Sequence, residues 1–208
     1  MKQTSPKENG YTIIELIIAV TLFSMLMLLA VSVLTTIFTG SNQQVIALSN
    51  VDQARLVTSQ FTNEMRNANT GVDGSFALNT TNDNQIIFYA RAASPGTTVN
   101  RIRYYITGKT LYKGVIIPTG NPLAYVPANE SIKVVQNNLV TTGAPLFTYY
   151  DGNYDGSTNP LSQPINVNSV KFIKMNITAL TNVKQNATTS FSISSGAVIR
   201  NLKNNLGN

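Results

Sequence analysis

Residues 16–51 contain no Lys, Arg, Asp or Glu, and no Gly or Pro falls between Gly10 and Gly40. About 20 apolar residues are enough to cross the hydrocarbon core of a bilayer, and residues 12–38 are almost wholly apolar. A helix apolar on every side belongs in a large core or in a membrane. One continuous membrane-length helix is therefore predicted. The short leader carries Lys2 and Lys7, which favour a cytoplasmic N-terminus for a single-pass protein of the inner membrane. One charge, Glu15, sits inside the apolar run. A carboxylate there is expensive unless something pairs with it.

Three processing fates compete for this segment. A conventional secretory signal has an apolar region of about 7–15 residues, followed by a small-residue cleavage site. Here the run is longer, and the small residue, Gly10, precedes it. A lipoprotein signal needs a cysteine, and the chain has none. A plain signal anchor fits the hydropathy but leaves Gly10 and Glu15 without a role.

Composition removes whole classes of chemistry. With no Cys and no His, neither a disulfide framework nor a thiolate metal site can form. Ser-His-Asp and Cys-His catalysis are likewise excluded. The isolated acids Asp73, Asp83 and Glu130 suggest no paired general acid and base, so no enzyme is expected. Charged residues make up 12% of the chain, against roughly 25% in ordinary soluble domains. The net charge is +6, and the basic excess lies beyond residue 70. A solvated basic surface is the simplest account of it.

Beyond Gly40 the pattern becomes amphipathic. Val51, Ala54, Thr58, Phe61, Met65 and Ala68 recur at three- and four-residue steps, with polar residues on the other faces. The helix is expected to reach residue 69, with Gly71 as its C-terminal cap. From residue 71 short alternating segments with turn punctuation predict strands. They fall at 85–90, 101–106, 110–117, 147–150, 170–177 and within 188–199. The second and third form a hairpin about Gly108-Lys109. Residues 130–135 read as a strand or a short helical turn, and 151–168 as a loop covering the sheet. Val170, Phe172, Ile173 and Ile177 are core candidates. The fold class is α+β, a long helix on an antiparallel β head. Its organisation is a leader at 1–10, a membrane helix at 11–39, an amphipathic continuation at 40–70 and a head at 71–208.

Two constellations could bind ligands. Asp151, Asn153 and Asp155 place oxygens at alternate positions before Gly156, like the first half of a Ca²⁺ loop. The twelfth position, which should be Glu, is Ser162. A pair of Asx turns explains the same residues without an ion. No cofactor is required by anything else in the chain. Arg101, Arg103 and Lys113, interleaved with Tyr104, Tyr105 and Tyr112, could stack bases and hold phosphates of DNA. Ordinary cross-strand pairing, aromatics inward and cations outward, is the alternative.

Gly10, Tyr11, Thr12 and Glu15, in this register before an uncharged helix, resemble the N-terminus of type IV prepilins and pseudopilins. The resemblance implies a pilin-like fold, cleavage between Gly10 and Tyr11 by a prepilin peptidase, and N-methylation of Tyr11. It implies that Glu15 pairs with a neighbouring subunit's N-terminal amine during assembly. Implied partners are other pilin subunits, the peptidase and an inner-membrane assembly platform. The product is a cell-surface or periplasmic filament of a type IV pilus, type II secretion or competence system. Two departures stand out: Tyr11 replaces the usual Phe, and the mid-helix proline position holds Ser32. The later order of Phe88-Tyr89, Arg103-Tyr104-Tyr105, Leu111-Tyr112-Lys113, residues 147–152 and residues 198–201 looks like large minor pilins and J-type pseudopilins. A minor or initiating subunit is expected, with a DNA-binding competence pilin as the alternative.

Overall fold

The computed structural model describes residues 10–91, 98–141, 143–181 and 189–199. The leader before Gly10, and Arg200 and Asn201 at the end of the terminal motif, lie outside them. The chain divides into two units, Met1–Val45 and Ile46–Asn208. Among the described residues one helix, α1 (Ile13–Arg66), supplies the first unit's regular structure and continues into the second.

In the first unit every described side chain from residue 10 to 39 is exposed. Apolar residues cover all sides, so there is no face to turn inward. Several hydroxyls in this stretch donate to the helix's own backbone. Thr21 donates to Ile18 O at 2.8 Å, Ser24 to Val20 O at 2.8 Å, and Thr35 and Thr36 both to Ser32 O at 2.9 Å. Each bond satisfies a donor that would otherwise be unpaired in an apolar surrounding.

In the second unit α1 buries one stripe: Ala54, Val57, Thr58, Phe61, Thr62 and Met65. Val57 and Thr62 add to the expected set, and Val51 is only half-buried. The two threonines are tolerated because their hydroxyls are paired, Thr58 with Ala54 O at 2.9 Å and Thr62 with Ser195 Oγ at 2.8 Å. The helix stops at Arg66 rather than at residue 69. Ala68 instead bridges to Ala90, and Asn69 N donates to Tyr89 O at 2.8 Å. Gly71 is therefore no cap: it lies in a turn closed by its N–H to Ser75 O at 2.8 Å.

Two antiparallel sheets face this stripe. The first has the order β1 (Leu78–Thr81), β2 (Gln85–Arg91), β3 (Val99–Thr107), β4 (Thr110–Ile116) and β5 (Ser131–Gln136). The second has β6 (Phe147–Tyr150), β7 (Phe172–Leu180) and β8 (Ser190–Val198). The predicted hairpin is present, turning at Gly108 with φ of 60°. Of the two forms expected for residues 130–135, the strand is the one present, as β5; a 3-10 turn at Pro127–Asn129 precedes it. In β7 the buried set is Ile173, Met175, Ile177 and Ala179. Phe172 lies one position out of that phase. It is half-buried on the opposite face and lies over Gly196, where a Cβ would collide with its ring.

Phe61 joins the helix to both sheets. Its ring centroid is 5.5 Å from Tyr104 and 6.1 Å from Phe88 of the first sheet, and 5.6 Å from Phe147 of the second. The segment after β5 ties the sheets at another point: Leu139 N donates to Lys109 O at 2.9 Å and Val140 N to Thr178 O at 2.8 Å. The loop 151–168 does cover an edge, as expected. Leu161 N bonds Tyr149 O at 2.8 Å, and Gln163 Nε2 reaches Thr81 O at 3.0 Å.

Candidate functional site

The N-terminal site is built by the first turn of α1. Gly10, Tyr11 and Thr12 precede the helix, and Ile13 is its first residue. Thr12 O accepts from Leu16 N at 3.2 Å, which places Thr12 at the N-cap. Thr12 Oγ1 accepts from Glu15 N at 3.3 Å, and Glu15 Oε2 accepts from Thr12 N at 3.0 Å. This reciprocal pair is a capping box. It satisfies backbone donors that the helix start leaves open and sets a negative charge at the positive end of the helix dipole. The spacing Thr12-x-x-Glu15 carries that signal in the sequence, where Thr12 was read only as part of the prepilin register.

The peptide bond between Gly10 and Tyr11 is outside the helix and open. Tyr11 is 91% exposed, and no atom lies within 4 Å of the place a Gly10 Cβ would occupy. A protease needs an extended, unhindered substrate segment, and this bond meets that requirement without unwinding α1. Glu15 faces outward from the chain, with its carboxylate held at the helix start. It is exposed and bonded only within its own first turn among the described residues. Next to it the apolar surface of residues 16–39 continues unbroken. The helix is long and apolar enough to cross a membrane.

The three basic candidates do not form one cationic strip. Arg103 donates from Nε to Glu130 Oε1 at 2.9 Å and stacks on Tyr105, 4.1 Å from the ring centroid. The hydrogen bond to Glu130 raises the Arg103 pKa. Glu130 is thus paired rather than isolated. Its carboxylate fits because residue 114 is glycine, where a Cβ would collide with Glu130 Oε1. Lys113 lies on the other face of the first sheet and pairs with Glu64 of α1. Glu64 also accepts from Tyr104 Oη at 2.8 Å. Burial, then Glu64, pushes the Tyr104 phenol well above its ordinary range. Arg101, half-buried, shares its face with Arg103. Sequence spacing showed the alternation but not the two glutamates, which arrive from elements 27 and 49 residues away.

The acidic loop is a pair of Asx turns. Asp151 Oδ1 accepts from Asn153 N at 2.9 Å. Asp155 Oδ1 accepts from Ser157 N at 2.8 Å, Ser157 Oγ at 2.9 Å and Thr158 N at 3.0 Å. The Ser157 amide above all holds the Asp155 pKa below its usual value. Asp151 and Asp155 spend these oxygens on donors of the same loop, with Asn153 a donor to Asp151, and no three acidic side chains gather among the described residues. Tyr154, between them, stacks on Phe172 at 4.8 Å and packs against Tyr150 at 4.0 Å.

Residues 5–31 match the family model described as "Prokaryotic N-terminal methylation motif". No curated protein matches the chain.

Proposed function

We propose, from the premise that this chain carries at residues 5–31 the class III signal of type IV prepilins and pseudopilins, that its mature form is a structural subunit of a pilus-like filament. The motif implies processing by a prepilin peptidase and assembly with other pilin subunits. The apolar helix behind it supports a membrane anchor before assembly. The single observation carrying the reading is the site at the start of α1. An open Gly10–Tyr11 bond stands immediately before a capped helix whose only early charge is Glu15.

Within that reading, the leader is residues 1–10 and Tyr11 becomes the methylated N-terminus. The N-terminus starts on the cytoplasmic side, and the head is delivered to the far side of the inner membrane. Glu15 is the assembly carboxylate, exchanging its own Thr12 amide for a neighbour's α-amine. A minor or initiating role suits a large head without a disulfide-stapled loop. The competence alternative draws on Arg101, Arg103 and Lys113, and two of these three already hold carboxylates within the head. Structural use of the cations is therefore favoured over DNA contact.

The test is the intact mass of the protein from its native host, with and without the prepilin peptidase. Loss of Met1–Gly10 and gain of one methyl group, both dependent on the peptidase, is expected. Retention of Met1–Gly10 whatever the peptidase status would overturn the reading. Glu15→Ala is expected to be cleaved normally but depleted from sheared filaments.

A further inference from the structure

The head leaves β5, an edge strand of the five-stranded sheet, open along most of its length. The free side of β6 is covered by the 151–168 loop through Leu161 N and Tyr149 O. In the five-stranded sheet β1 is only four residues long. β5 pairs with β4 on one side and with no strand on the other among the described residues. Only its far end is covered, where Gln53 Nε2 of α1 donates to Val135 O at 2.9 Å. The stretch from Ser131 to Val134 is exposed throughout.

The side chains of this edge are apolar on one face and mixed on the other. Ile132 is 49% and Val134 52% exposed on the face away from α1. On the helix side β4 and β5 line a groove of about 550 Å³ with Gln60, Val115, Ile117, Ser131, Lys133 and Val135. Lys133 stands directly opposite Lys113 across the strand pair. Two cations in that position repel. Glu64 compensates Lys113, whereas no carboxylate among the described residues lies within ion-pair reach of Lys133.

We propose that β5 is a docking edge for an extended segment of a partner, added as a sixth strand to the first sheet. The segment carries apolar residues at alternate positions and an acidic residue that meets Lys133. Open backbone groups on Ser131–Val134 supply the pairing, as in other strand additions. Ile132 and Val134 supply apolar contact on the face away from α1, and the uncompensated Lys133 on the other face sets the sign of the charge. This goes beyond the filament role assigned to the start of α1, because it uses a sheet edge of the head.

The probe is a short synthetic peptide alternating valine and glutamate, with a twin in which lysine replaces glutamate. The full chain in detergent micelles is titrated with each labelled peptide and followed by fluorescence anisotropy and backbone hydrogen exchange. The glutamate peptide is expected to bind about tenfold or more tighter than its twin, since like charges across an interface are strongly disfavoured. It should protect the amides of residues 131–134. Lys133→Glu, an exposed change that leaves the unfolding midpoint in place, should reverse the preference between the two peptides. Equal binding of both peptides, no binding of either, or protection elsewhere in the head would each overturn the proposal. In those cases Lys133 serves only to keep an apolar edge solvated.

Discussion

Replacing Lys113 with methionine separates a structural cation from a ligand-binding one. Lys113 and Glu64 are 11% and 14% exposed, and they link β4 to α1. Methionine keeps the aliphatic stem and removes the charge. The Glu64 carboxylate is then left largely buried, with the Tyr104 hydroxyl at 2.8 Å and the Gln60 amide at 3.1 Å as its remaining partners. Breaking one side of a buried pair costs about 3–5 kcal/mol. The residual exposure and the retained Tyr104 bond lower the expectation to about 2–4 kcal/mol, because a hydrogen bond to a charged group still contributes about 1.5–3 kcal/mol. With a urea dependence of about 2 kcal/mol per molar, the unfolding midpoint should fall by about 1–2 M. Near-UV circular dichroism in detergent reports the head, since the chain has nine tyrosines and no tryptophan. The double variant Lys113→Met with Glu64→Gln removes both charges and keeps a Tyr104 acceptor. It should return to within about 1 kcal/mol of the parent, as cycles through coupled neighbours do. A loss below about 1 kcal/mol for Lys113→Met, or losses that simply add in the double variant, would refute the buried-pair reasoning. Lys113 would then be free to act on a ligand.

Two further outcomes follow from the head. Phe61→Ala empties the point where the helix meets both sheets, and should destabilise the second unit by about 3–5 kcal/mol in the same assay; Leu56→Ala, on an exposed position, should change it by no more than about 0.5 kcal/mol. For Asp155 the folded pKa lies below the usual 3.8 because of the Ser157 amide bond. Its contribution is therefore present above the unfolded pKa and lost as pH falls through the lower folded value. A carboxyl NMR titration with a midpoint at or above 3.8 would contradict the Asx turn, and so would an unchanged midpoint in Asp155 when Ser157 is replaced by proline.

The sequence carried the helix and most strands because each is written locally. An apolar run without Gly or Pro leaves a helix as the only way to satisfy its backbone in a membrane, and the 101–117 hairpin announces its own turn. Errors arose where distant residues decide. Phe172 and Ile173 are adjacent apolar residues, and alternation alone does not say which faces inward; Val170 and Gly196 settle it, one by filling the core and the other by leaving room outside. Gly71 looked like a cap because helix ends favour glycine, yet pairing of Ala68 with Ala90 ends α1 earlier. The Arg103 and Lys113 pairs were invisible for the same reason: Glu130 and Glu64 are remote in sequence. At the N-terminus the reverse held. Every residue of the capping box lies within four positions, and only its identity as a box had to be recognised.

The position of that box has a consequence for maturation. Among the described residues the hydrogen bonds of α1 begin at Thr12 or later, so cutting after Gly10 would remove none of these. Precursor and product would then share one capped helix start. At the new terminus a free amine appears one residue before Thr12, whose amide donates to the Glu15 carboxylate at 3.0 Å. The effect of maturation on partners would then be chemical: a single new cation, placed where the helix already holds its counter-charge.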